Sequence, residues 1–163
     1  MNLQAGNSGK RLDHSVLASI ASQVVERVEA DDVLSYGGWS TEFIKSFRPQ
    51  RRLTIQSYRP AIEGSRSIAV PSDVVVSIDH LNNAGMLKVQ DALDDLKRVT
   101  LKAGFFYLNV LEFPDDVVTG NTVPRPVNWW LNEFLKRFDV HTFQRLPGGF
   151  YVIVYPMTEQ VIH

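Results

Sequence analysis

The chain has 163 residues, 44% of them hydrophobic and 21% charged, with a formal net charge of -1. That length suits one domain with a proper core and is short for two, and the near-neutral balance supplies no bulk attraction to nucleic acid or anionic membrane. Cysteine is absent, which excludes disulfides, thiolate zinc sites and every mechanism that needs a thiol nucleophile.

Residues 1–12 are rich in Gly, Asn, Ser, Lys and Arg and offer little to bury, so a mobile N-terminal arm is expected, followed by a single domain over 13–163. The opening lacks the apolar core of a signal peptide, and no later run approaches the roughly 20 apolar residues that span a bilayer; a cytoplasmic protein is expected. Asp13 is placed to cap a helix over "HSVLASIASQVVERV", where Leu17, Ile20, Val24 and Val28 recur three or four apart. "DVLSY" reads as a short buried strand broken by Gly37 and Gly38, after which Ser40 or Thr41 can cap a helix that Pro49 closes.

"RLTIQSY" alternates as a strand does, and "DVVVSID" is a β-branched run expected of a strand buried on both faces of a parallel sheet, itself covered on both sides. "MLKVQDALDDLKRVT" has helical spacing with Met86, Val89, Leu93 and Leu96 on one face. "GFFYLNV" is the next strand, 111–127 a proline-bearing connection and "NWWLNEFLKRF" a helix. Two last strands, "DVHTFQRL" and "GFYVIVYP", meet at Pro147-Gly148-Gly149, a hairpin signal. The order predicts an α/β fold: a doubly wound, mostly parallel sheet ending in an antiparallel C-terminal hairpin.

Several stretches, in order and spacing, resemble the class I S-adenosylmethionine-dependent methyltransferases, above all a compact, often phage-borne or bacterial branch. "VLSYGG" (33–38) is similar to that branch's "VLDYGCG" turn, "YRPAI" (58–62) to its "YDPA", and "DVVVSIDHLNN" (73–83) to its "D-L-V-V-x-x-D-V-L-E-H". "LDDLKRVTLKAGFF" (93–106), Trp129-Trp130 and the terminal hairpin continue the match to about residue 155. The resemblance implies a Rossmann-like methyltransferase fold and, in an active member, S-adenosylmethionine as cofactor. It places Ser35, Gly37, Gly38, Trp39, Arg59, Asp79 and His80 around the cofactor.

Those positions depart from the family's chemistry. Ser35 replaces the acid that orients the methionine amino end, and Trp39 and Thr41 stand where the family has further glycines, so an indole is expected in the cofactor space. Arg59 replaces the acid that accepts from the ribose hydroxyls, and a guanidinium can only donate. Asn82 and Asn83 stand for an acid and a histidine, and "TGNTVPRP" (119–126) has lost the family's loop histidine. Asp79, at the end of a buried strand, reads either as a catalytic base or adenosine contact or as a turn or capping aspartate. His80 beside it has no metal-ligand spacing, and His14, His141 and His163 are scattered, so no metal is expected.

The one basic patch, Lys45, Arg48, Arg51, Arg52, Arg59 and Arg66 opposed by Glu63, could hold the phosphates of nucleic acid or an acidic partner; a solvated helix end and loop explains it equally. Trp129-Trp130 reads as a base platform or as one core ring and one edge ring. Cytosine C5 methylation needs the missing cysteine, and "DHLN" is unlike the motif of amino-methylating DNA enzymes. The expected function is a methyltransferase-like domain that has lost catalysis and acts by protein binding or self-assembly. The alternative is an active methyltransferase on a small-molecule or protein acceptor, with Asp79 at the adenosine end and Asn109 or Tyr107 toward the acceptor. A third reading is nucleic-acid binding through 45–66.

Overall fold

The computed structural model describes residues 13–59, 68–83, 88–110 and 125–158; the expected arm at 1–12, Met86, Arg66 and the 119–124 part of the proline-bearing loop lie outside them. In chain order the elements are α1 (His14–Arg27), β1 (Asp32–Tyr36), α2 (Thr41–Ser46), β2 (Thr54–Tyr58), β3 (Ser72–Ile78) and a 3-10 turn (Leu81–Asn83). Then come α3 (Val89–Val99), β4 (Thr100–Asn109), α4 (Val127–Leu135), β5 (Phe138–Leu146) and β6 (Gly149–Pro156). The strands form one sheet in the order β2-β1-β3-β4-β6-β5. The first four are parallel, and β6 and β5 are added antiparallel as the hairpin.

Side-chain alternation along the buried strands divides the core into two layers. On one side Val33, Val74, Val76 and Phe105 meet Leu17, Val24, Phe43 and Phe47 of and after the first two helices. On the other, Leu34, Val75 and Phe106 meet Leu93 and Leu96 of α3 and Trp130 and Phe134 of α4. Each such side chain, fully buried, contributes about 1.5–3 kcal/mol of transfer free energy, and β3 is buried along nearly its whole length because both layers close on it.

Local chemistry sets the ends. The Asp13 side chain accepts from the Ser15 N–H and starts α1; Ser40 accepts from the Phe43 N–H and starts α2. Gly148, at φ +80, makes the tight reversal between β5 and β6. Trp130 is the core ring of its pair and Trp129 the edge ring, with the Arg125 guanidinium 4.4 Å above it.

One expectation is corrected at β2. Thr54, Ile55, Gln56 and Ser57 are all exposed, so the sheet is covered on both sides at its centre but not here. The six-residue α2 is too short to shield the strand, and β1 is its only strand neighbour among the described residues. No helix among the described residues is long and apolar enough to cross a membrane.

Candidate functional site

Strand order reverses between β1 and β3, and in such sheets ligands gather in the crevice beyond the carboxyl ends of the strands at that switch. The residues after β1, β2, β3 and β4 therefore define the candidate site. Gly37 and Gly38 follow β1 with φ of +97 and +91, a backbone that only glycine adopts without strain. The turn is tied to the next strand by the Gly37 N–H, which donates to the Tyr58 carbonyl at 2.7 Å.

The surface of this glycine pair is taken by the chain's own side chains. A Cβ built on Gly37 would lie 2.4 Å from Cγ of His80, and one on Gly38 would lie 3.3 Å from Nε of Arg59. His80 thus packs on the first glycine and the Arg59 guanidinium on the second. The His80 ring also meets Tyr36 edge-on, centroids 5.6 Å apart, and burial pushes its pKa below the ordinary histidine value, favouring the neutral imidazole. Tyr36 in turn stacks obliquely on Tyr58 at 5.3 Å and donates its hydroxyl to Asp95 at 2.9 Å. Burial first, and the Asp95 charge second, raise that phenol far above its ordinary pKa.

Trp39 corrects the sequence reading. Its indole does not lie over the glycines; it turns beneath α2 onto Phe43 and Phe47, at 4.9 and 5.2 Å, and its Nε1 donates to the Val76 carbonyl at 3.2 Å. The apolar ring finds more contact in that core layer than in a solvent-facing crevice, and the carbonyl satisfies its one donor. Ser35, its register partner being Val76, is 3% exposed and offers only a neutral hydroxyl at the position of the family's acid.

On the β3–β4 side, Asp79 holds a left-handed conformation, φ +59, tolerated by aspartate. Its N–H donates to the Tyr107 carbonyl at 2.8 Å and its Oδ1 accepts from the Asn109 N–H at 3.3 Å. Asp79 thereby ties the end of β3 to the end of β4. The phenol of Tyr107 is pushed up by burial and then by the Asp79 charge. Asn82 Nδ2 donates to the Asn109 carbonyl at 3.0 Å, and the Oδ1 atoms of Asn82 and Asn109 are buried without a hydrogen-bond partner among the described residues.

A neighbouring group escaped sequence reasoning. His14 Nδ1 lies 2.7 Å from the Ser40 hydroxyl, its backbone N–H donates to the Glu42 carboxylate, and its ring stands edge-on to Tyr107 at 6.0 Å. The N-termini of α1 and α2 are thereby joined beside the crevice. Twenty-six residues separate His14 from Ser40, and no spacing pattern reports such a meeting; the two acceptor-rich helix starts were the only signal.

Most of the basic patch is exposed, Arg48 and Arg59 included, and two of its arginines hold local backbone and loop groups. Arg48 donates to the Ile44 and Phe47 carbonyls at the end of α2, and Arg51 to the Ala30 carbonyl and to Asp31. These are the helix-end and loop contacts of the plainer reading, while Lys45 and Arg52 remain exposed. Among the described residues no three His, Asp or Glu converge to hold a metal ion.

No protein-family model matches this sequence, and no curated protein matches it. Solved structures do match in fold. An O-methyltransferase family protein from Burkholderia thailandensis superposes with TM-score 0.65 at 12% identity, over 89% of this chain and 56% of its own. PigF with SAH gives 0.60 at 8%, over 86% and 61%. CalS10 with bound SAM, an amino pentose methyltransferase from Micromonospora echinaspora, gives 0.56 at 10%, over 96% and 98%. The chain spans less than two thirds of the first two and nearly all of the third. It has the fold of the class I S-adenosylmethionine-dependent methyltransferases.

Proposed function

We propose that this chain is a methyltransferase-fold domain that no longer binds or uses S-adenosylmethionine and that works, in the cytoplasm, by binding another protein or copies of itself. The observation that carries this reading is the glycine pair covered by His80 and Arg59. A glycine turn serves a cofactor by letting it approach the backbone closely; here the approach is used by the protein. Arg59 adds a second obstacle. It brings only donors and a positive charge to the place of a ribose-binding acid, and the sulfonium cofactor is itself cationic. Ser35 removes the negative charge that would balance the methionine amino group.

The exposed β2 supports the binding half of the reading, since a strand at the edge of a sheet presents backbone groups to which another chain can add. The solved structures in complex with SAM or SAH favour the active reading, and one observation favours it specifically: among the described residues the two buried amide oxygens of Asn82 and Asn109 have no donor, a polar demand that a bound ligand would meet. In that reading Asp79 stands at the adenosine end and Asn109 or Tyr107 lines the acceptor side.

Calorimetric titration with S-adenosylmethionine and its demethylated product decides between them. No binding heat and no thermal shift at millimolar ligand are expected. Micromolar affinity for either ligand, or transfer of a labelled methyl group to any fraction of a cell extract, overturns the proposal.

A further inference from the structure

We infer that the outer edge of β2 binds an extended, acidic segment of another protein, which adds there as a further strand. This deepens the binding half of the proposed function and rests on it. The strand leaves half of its backbone groups unused. Thr54 donates its N–H to the Asp31 carbonyl, and the Tyr58 carbonyl accepts from the Gly37 N–H, so the even-numbered residues turn their amides toward β1. Backbone direction alternates along a strand, which aims the N–H and C=O groups of Ile55 and Ser57 outward, where no described strand follows. Edges of this kind are commonly blunted by charge, proline or a bulge. Thr54–Tyr58 holds no charged residue and no proline, and its register with β1 runs unbroken. Ile55, whose register partner Val33 lies in the core layer of α1 and α2, is 49% exposed on that side of the sheet. An apolar residue of the added strand would cover it.

Charge selects the segment. Residues 41–59 carry five cations, Lys45, Arg48, Arg51, Arg52 and Arg59, against one acid, Glu42, in a chain whose formal net charge is -1. Among the described residues only Arg51 of the five has an ion-pair partner, Asp31. Four of the cations precede β2, and Arg59 follows it while keeping its place on Gly38, so the uncharged edge is flanked by positive charge. A second copy of the chain fits less well. Pairing two β2 strands antiparallel about Gln56 sets Arg59 of one copy beside Arg52 of the other, and like charges across strands destabilise the pair. Nucleic acid would gain from the charge but has no row of alternating amides to match Ile55 and Ser57, which an extended peptide supplies.

The test uses the whole chain and labelled probes: a peptide with a Val-Thr-Val centre flanked by Glu pairs, the same peptide with Lys for Glu, the acidic peptide N-methylated at alternate amides, and a single-stranded oligonucleotide. In fluorescence anisotropy at low ionic strength the acidic peptide is expected to bind about tenfold or more tightly than the lysine peptide and to weaken as salt is raised. N-methylation, which removes the donors of the added strand, should abolish binding. Arg52→Glu should weaken it about tenfold and leave the thermal midpoint unchanged, since that side chain is exposed. At saturating acidic peptide the Ile55 and Ser57 amides should exchange with solvent about tenfold or more slowly, while the Thr54 amide, already bonded to Asp31, stays as it was. The inference is overturned if the lysine peptide or the oligonucleotide binds as tightly as the acidic peptide, if no peptide binds, or if those two amides gain no protection. It is overturned too if they are already protected in a dimer of the chain, which assigns the edge to a second copy. Titration with S-adenosylmethionine reads the crevice and not this edge, so the two proposals fail separately.

Discussion

At Gly37 the constraints are conformational and steric at once. The φ of +97 is strained for any L side chain, and a methyl group there would meet His80 at 2.4 Å. Gly37→Ala should therefore lower stability by about 1–3 kcal/mol in denaturant unfolding. Trp39 makes the opposite kind of prediction. Because its ring belongs to the α2 core layer, Trp39→Ala should cost about 2–3 kcal/mol of stability and leave affinity for any crevice ligand unchanged. A large gain in S-adenosylmethionine affinity in that variant would show that the indole obstructs the crevice after all. The residue pattern made Trp39 conspicuous but not its direction, since a residue beyond a strand end can turn to either face of the sheet, and the aromatic pair Phe43 and Phe47 decided it.

Among the elements, α4 and α3 are locked by a charged group inside the second core layer. Glu133 is 5% exposed and takes Lys136 at 2.8 Å and Arg137 at 3.1 Å; Arg137 also reaches Asp94 and Gln90. The hydrogen bond from Lys136, followed by that from Arg137, outweighs burial and holds the Glu133 pKa down to about 2. With the folded value below the unfolded one, the stabilisation is complete above about pH 4.5 and is lost as pH falls toward about 2. It should amount to about 1–2 kcal/mol, given the exposed lysine partner, and Glu133→Gln should flatten that part of the stability–pH curve. At α2, Ser40→Ala removes the cap on Phe43 and the partner of His14 together, so a loss of about 1 kcal/mol is expected in thermal or chemical unfolding.

For the whole molecule, what could be read in advance was whatever is periodic. The β-branched run of β3, the apolar stripe of α3 and the glycine hairpin announced a parallel sheet with an antiparallel end, and these are present. β4 proved longer than "GFFYLNV", because its first residues pair with β3 outside the apolar run. The bare edge at β2 was not legible, since alternation marks a strand without saying what flanks it. The site was half legible. The substitutions at Ser35 and Arg59 were visible as changes of charge, but the covering of the glycine pair by His80 and Arg59 depends on residues brought together by three separate strand ends. His14 and Ser40 meet for the same kind of reason.

The most direct measurement is a crystal of the protein soaked in millimolar S-adenosylmethionine. Expected are His80 and Arg59 still resting on Gly37 and Gly38 and no density for the nucleotide beyond the carboxyl ends of β1 and β3. Density for the nucleotide seated against that glycine turn, with both side chains displaced, would contradict the loss of cofactor binding.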